Sequence, residues 1–212
     1  MAAVIAAAFG IFLVCNIISL MLGEADEPAT VSESGMWVNV AIELVIGAVV
    51  WFGLHRRGWT FQAIGLGRPD RRDPVQGIGL AVVCWVLDLL LLTAAGAIFP
   101  GLLTGGVETS GPLSLSAVLL VSLVNPIYEE IFVCAYVIEA TRRHGEWTWW
   151  GIAISAALRL AYHMYQGPSG MAFIMPFGLL CAIWYARTSR LWPLVIAHGL
   201  LDLVGLTLLS GQ

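Results

Sequence analysis

Apolar residues gather along this chain into long runs separated by short polar breaks. A helix needs roughly 20 apolar residues to cross a hydrocarbon core. That ruler predicts seven spans, at about 2–23, 37–54, 76–99, 113–139, 148–166, 170–187 and 191–209. No stretch alternates with period two, which argues against a membrane barrel. Turn and charge signals fill the breaks: Glu24-Ala25-Asp26-Glu27-Pro28, Gly67-Arg68-Pro69-Asp70 and Gly167-Pro168-Ser169-Gly170. Pro176 falls inside the sixth span and predicts a kink. Residues 58–75 mix Trp59, Phe61, Ile64 and Leu66 with arginines and are expected along the membrane interface. The predicted fold is an all-α transmembrane helical bundle forming one membrane domain over 1–212. Within it, 1–112 supply N-terminal helices, and 113–209 carry the motif-bearing core.

Composition agrees with that class. Hydrophobic residues make up 59% of the chain and charged residues 11%, against about a quarter charged in soluble domains. The mean hydropathy is +0.86. All ten basic residues are arginine. Arg56, Arg57, Arg68, Arg71 and Arg72 separate spans two and three, Arg142 and Arg143 follow span four, and Arg187 and Arg190 follow span six. The alternate connections hold no arginine; Glu24, Asp26, Glu27 and Glu33 crowd the first, and Glu108 sits in another. Basic connections stay cytoplasmic, which predicts an inside N-terminus and an outside C-terminus. The first span lacks a basic lead-in and is longer than a signal peptide's apolar core, so it reads as a span. Cys15, Cys84, Cys134 and Cys181 fall inside spans without CxxC spacing and read as small packing residues. A net charge of −4 offers no footprint for nucleic acid, leaving membrane lipids as the surroundings. Arginine without lysine, with much Ala and Gly, points to a GC-rich prokaryotic genome and hence to a prokaryotic plasma membrane.

Ionisable residues inside spans are costly and mark function by default. Here they are Glu43, Asp88, Glu129, Glu130, Arg159, His163, His198 and Asp202. Glu43 and Asp88 stand alone in their helices and read first as structural hydrogen-bonding groups. The other six are concentrated in three spans. Arg159 and His163 are four apart, as are His198 and Asp202, so each pair shares a helix face. Glu129 and Glu130 are adjacent, so one can face a cavity while the other faces a neighbouring helix. Counted from the cytoplasmic ends, Glu129, His163, His198 and Asp202 lie roughly 10–22 Å deep. A carboxylate with an imidazole can deprotonate a water while a second polar group steadies an oxyanion, which is the chemistry of peptide hydrolysis. The same residue types serve as zinc ligands, as proton relays, or as a network that glues helices together.

The segments Asn125-Pro126-Ile127-Tyr128-Glu129-Glu130-Ile131-Phe132-Val133-Cys134, Arg159-Leu160-Ala161-Tyr162-His163 and His198-Gly199-Leu200-Leu201-Asp202 resemble the three motifs of the CAAX protease and bacteriocin-processing family. The lead-in Leu191-Trp192-Pro193 resembles that family too. The resemblance is loose over about 60–209 and good over about 113–205. It implies an intramembrane protease, glutamate- or metal-dependent, acting on a peptide or protein substrate; lipidated CAAX proteins, leader peptides and bacteriocin immunity all occur among such relatives. By that resemblance Glu129 and His163 activate the attacking water, His198 and Asp202 stabilise the oxyanion, and Glu130 supports them. The cofactor stays open between none and a divalent metal such as zinc, which Glu129, His163 and His198 would hold. Two other readings stay open: an inactive relative serving as a membrane scaffold or immunity protein, and a proton- or ion-relay transporter. The chain departs from the family pattern twice, with Cys134 where an arginine is expected and Arg159 where a phenylalanine is expected. We expect these to compensate, Arg159 bringing to Glu130 or Glu129 the charge that position 134 lacks. An ionised Asp202 has no hydrogen to donate, so it is expected to orient His198 or to act protonated.

Overall fold

The computed structural model describes residues 1–22, 28–99, 101 and 103–211. The acidic break Glu24–Glu27 and the end of the first predicted span at Gly23 lie outside them. The helices are α1 (Ala2–Met21), α2 (Glu33–His55), α3 (Asp73–Ile98), α4 (Leu115–Glu129), α5 (Val137–Arg143), α6 (Thr148–His163), α7 (Gly167–Thr188) and α8 (Trp192–Ser210). A π-helical segment, Glu130–Tyr136, joins α4 to α5, so that Leu115–Arg143 is one continuous crossing. Residues Thr148–Thr188 are helical almost throughout over 41 residues, about 60 Å if straight, which is twice a hydrocarbon core. They instead fold back at a turn, Met164–Gln166, followed by Gly167 in positive φ of 68°. α6 and α7 are therefore an antiparallel pair, and the bundle makes seven passes.

α2 and α3 begin about a turn earlier than the apolar ruler predicts, at Glu33 and Asp73, because their first turns are polar. Ser32 caps α2 by accepting a hydrogen bond from the Gly35 amide at 3.0 Å. Ser114 caps α4 from its hydroxyl to the Ala117 amide at 3.3 Å, and donates to Glu33 at 2.6 Å, tying the two starts together. Capping of this kind satisfies the first orphaned amides of a helix. α7 runs through Pro176 without ending there. Among the described residues, one pair of strands departs from the helical pattern. Ala29–Val31 (β1) and Val107–Thr109 (β2), from the connections before α2 and α4, pair in parallel, Thr30 opposite Glu108. The turn after α6 joins them, with the Gly106 amide on the Gln166 carbonyl at 2.8 Å and the Ser169 amide on the Thr104 carbonyl at 3.1 Å.

Residues 58–72 hold one short 3₁₀ turn, Gln62–Ile64, and fold onto the bundle. Ile64 and Trp59 are buried, Phe61 stacks on Trp51, and the Trp192 indole donates to the Gly67 carbonyl at 2.8 Å. Arg190 anchors the same region through two hydrogen bonds to Asp73, at 2.9 and 2.7 Å. The core is densest around the π segment, where every residue from Glu130 to Tyr136 is buried. Cys84, Cys134 and Cys181 are buried free thiols, and Cys15 is exposed on α1.

Candidate active site

The site starts from an irregularity in the fourth crossing. Pro126 has no amide hydrogen, so it cannot bond the Ser122 carbonyl one turn back. α8 comes in against that carbonyl at a glycine: a Cβ on Gly199 would lie 2.7 Å from the Ser122 oxygen. This approach carries His198, the preceding residue, up to the two glutamates. Directly after Glu129 the chain widens into the π segment, a feature concentrated at functional sites. Glu129 and Glu130 then face different ways. Glu129 lines a cavity, whereas Glu130 is fully buried between helices.

Arg159 spans both acids. Its Nη2 lies 2.6 Å from Glu130 Oε1, and its Nη1 lies 3.2 Å from Glu129 Oε2. The guanidinium sits 4.9 Å above the Phe177 ring. Its stem crosses Gly178, where a Cβ would come within 2.9 Å of the arginine Cδ. Cys134 is fully buried, so the positive charge at these acids comes from α6 and not from its position. An arginine left unpaired here, or an acid without one, would be an uncompensated buried charge.

Both histidines are held by the nitrogen that points away from Glu129. His163 Nδ1 is 2.9 Å from the Arg159 carbonyl, which can only accept. The hydrogen is therefore on Nδ1, and the neutral ring keeps its lone pair on Nε2. That Nε2 is 4.0 Å from Glu129 Oε1. His198 Nδ1 is 2.8 Å from Glu130 Oε1, while its Nε2 lies 4.0 Å from Glu129 Oε2 and 3.6 Å from Asp202 Oδ1. Glu130 thus orients the His198 ring. Asp202, expected from its spacing to do so, stands instead at the opposite nitrogen and beyond hydrogen-bond length.

Four further residues complete the arrangement. Tyr162 donates its hydroxyl to Glu129 Oε2 at 2.6 Å. The Asn125 amide nitrogen donates to Glu129 Oε1 at 3.1 Å and to Glu43 Oε1 at 2.7 Å. Glu43 accepts also from Asn39 at 3.0 Å, so it is a hydrogen-bonding group tied into the cluster. Asn16 of α1 donates to the Tyr162 carbonyl at 2.7 Å and accepts from the Tyr165 amide at 2.8 Å, pinning the end of α6 beside His163. Sequence signals for them exist. Asn125 is one turn before Glu129, Tyr162 precedes His163, and Asn16 is polar within an otherwise apolar span. Asp88 stays apart: it is buried, and neither carboxylate oxygen has a hydrogen-bond partner among the described residues. Nothing in the structure explains it.

Glu43, Asn125, Glu129, Tyr162, His163, His198 and Asp202 form the floor of a cavity of about 600 Å³. Its walls are largely apolar, with Phe9, Phe12, Ile174, Phe177 and Leu206 among them. Two Nε2 atoms and one carboxylate converge there in a shape that can hold and polarise a small polar molecule. Among the described residues no group of three or more His, Cys, Asp or Glu is spaced to hold a metal ion. The Arg159 guanidinium already occupies the charge of Glu129 on its other side.

The chain is thus a membrane helical bundle with carboxylates and imidazoles at the floor of a cavity. Residues 111–204 match the family described as type II CAAX prenyl endopeptidase, Rce1-like, which is what this segment of the chain is similar to. The match covers all three motifs. No curated protein and no solved structure matches the chain.

Proposed function

We propose that the protein is an intramembrane endopeptidase of the prokaryotic plasma membrane that hydrolyses a peptide bond with a water activated by Glu129 and His163. The observation that carries this reading is the 4.0 Å separation of Glu129 Oε1 from the free Nε2 of His163. A water can lie about 2.8 Å from both atoms at once, with its proton directed at either. Asn125 and Tyr162 hold the carboxylate still, so the base is positioned before substrate arrives. The water attacks the scissile carbonyl carbon, and the proton it loses passes through Glu129 and His163 to the leaving amine nitrogen.

His198 is placed for the other half of the chemistry. With a hydrogen on each ring nitrogen it donates from Nδ1 to Glu130 and from Nε2 to the developing oxyanion, a hydrogen bond that strengthens as charge accumulates. Two glutamates then balance Arg159 and the His198 imidazolium, leaving no net charge in a region of low dielectric. Asp202 adds a second donor beside His198 in its protonated form. No step calls for a metal.

The test is cleavage by the purified protein in liposomes. Peptides with and without a prenylated cysteine near the C-terminus are supplied, and products are read by mass spectrometry. The reading expects cleaved product from the wild type and none from His163→Ala. Absent cleavage together with proton flux through the same liposomes would assign the cluster to a relay instead.

A further inference from the structure

The cavity wall is drawn from one end of the bundle. α2 contributes Met36 from its first turn, α3 Leu92 from its last third, and α8 Leu206 from its second half; Val107 and Gln166 come from the connections at that end. The arginines lie at the other. Nine of the ten fall in the connections after α2, α5 and α7 or at the helix ends beside them; the tenth is Arg159. That end is closed beneath the site. Val133, Cys134, Val137, Ile138 and Tyr185 are all at 0% exposure, filling the bundle between the glutamates and the arginine-bearing face. Arg142 binds Glu139 at 2.7 Å and the Ser189 hydroxyl at 3.1 Å, and also reaches the Ala186 carbonyl, which ties α5 to the end of α7 there.

Arginine-bearing connections are retained on the cytoplasmic side. The cavity therefore faces away from the cytoplasm, with those buried residues between it and the inside. We infer that the site takes its substrate from the extracytoplasmic side: a peptide segment outside the membrane or in its outer half, with apolar residues beside the scissile bond. The aromatic and aliphatic walls give apolar side chains a place to bury, while the polar floor meets the backbone carbonyl. A cytoplasmic tail carrying a prenyl group would have to cross the membrane to reach the same atoms. This inference rests on the peptidase reading and adds to it the side of the membrane and the character of the substrate.

Gly205 gives a direct probe. It lines the cavity, and a side chain there meets nothing within 4 Å. In a Cys15→Ser background, Gly205→Cys is treated with a membrane-impermeant maleimide in right-side-out and in inverted vesicles, beside Glu146→Cys at the arginine end. The same two preparations, without the added cysteines, receive an impermeant fluorogenic peptide mixture with apolar centres and charged ends, with Glu129→Gln as the inactive control. The expected result is labelling of Gly205→Cys and cleavage in right-side-out vesicles alone, with Glu146→Cys labelled in inverted ones alone. Labelling of Gly205→Cys, or cleavage, confined to inverted vesicles would overturn the inference while leaving the peptidase reading standing. Labelling from outside with no cleavage in either preparation would remove the peptide as occupant and overturn the peptidase reading with it.

Discussion

Arg159 is the residue on which the cluster turns. It replaces an aromatic residue of the family pattern, and Cys134 replaces an arginine, yet the guanidinium reaches both glutamates, at 2.6 and 3.2 Å. That pairing was legible from sequence because two departures of opposite sign in adjacent spans suggest a shared charge. The orientation of the histidines was not. Helical spacing places Asp202 one turn from His198 and so nominates it as the orienting acid, but spacing says nothing about which nitrogen faces which neighbour. Glu130 wins because the glycine contact at position 199 sets the ring against the fourth crossing. Removing one partner of a buried ion pair leaves the other uncompensated, at about 3–5 kcal/mol. Arg159→Phe is accordingly expected to lower the thermal midpoint in detergent sharply, and Cys134→Arg added to it to recover much of the loss. A double variant no more stable than the single one would show that position 134 cannot supply the same charge.

At the scale of elements, the seven crossings followed from apolar run length, since a membrane span has one dominant requirement. What escaped that ruler were the polar first turns of α2 and α3, the small parallel strand pair, and the π segment. A π segment leaves no periodic signature in a stretch that is buried all round, as Glu130–Tyr136 is. Its consequence is mechanical: it follows the proline that frees the Ser122 carbonyl and lies beside the tight α4–α8 contact. Gly199→Ala puts a methyl group 2.7 Å from that backbone oxygen, and overpacking of this kind costs typically about 1–3 kcal/mol. The expected outcome is a lower thermal midpoint and a fall in kcat as His198 is displaced from Glu130. Gly10→Ala, which meets nothing within 4 Å, is the control and is expected to change neither. Equal effects from the two variants would deny the α4–α8 contact its positioning role.

Across the whole molecule, the arginine pattern and the cavity give one polarity to the bundle. Alkaline phosphatase fusions at Gly105 and Gly211 are expected to be active, and a fusion at Glu146 inactive. Activity at Glu146 would invert the topology and with it the side from which substrate enters. The polar floor, the apolar walls and the closed arginine end together describe a chamber with Glu129 at its floor. Glu129 is proposed as the base for hydrolysis. The most direct test compares wild type and Glu129→Gln in oriented liposomes, scoring peptide cleavage by mass spectrometry alongside thermal stability. General-base catalysis contributes typically about 10²–10⁴-fold. A loss of that size in cleavage rate is expected with the fold retained, since glutamine keeps the shape and still accepts from Tyr162. Cleavage by a folded Glu129→Gln variant at close to the wild-type rate would contradict it.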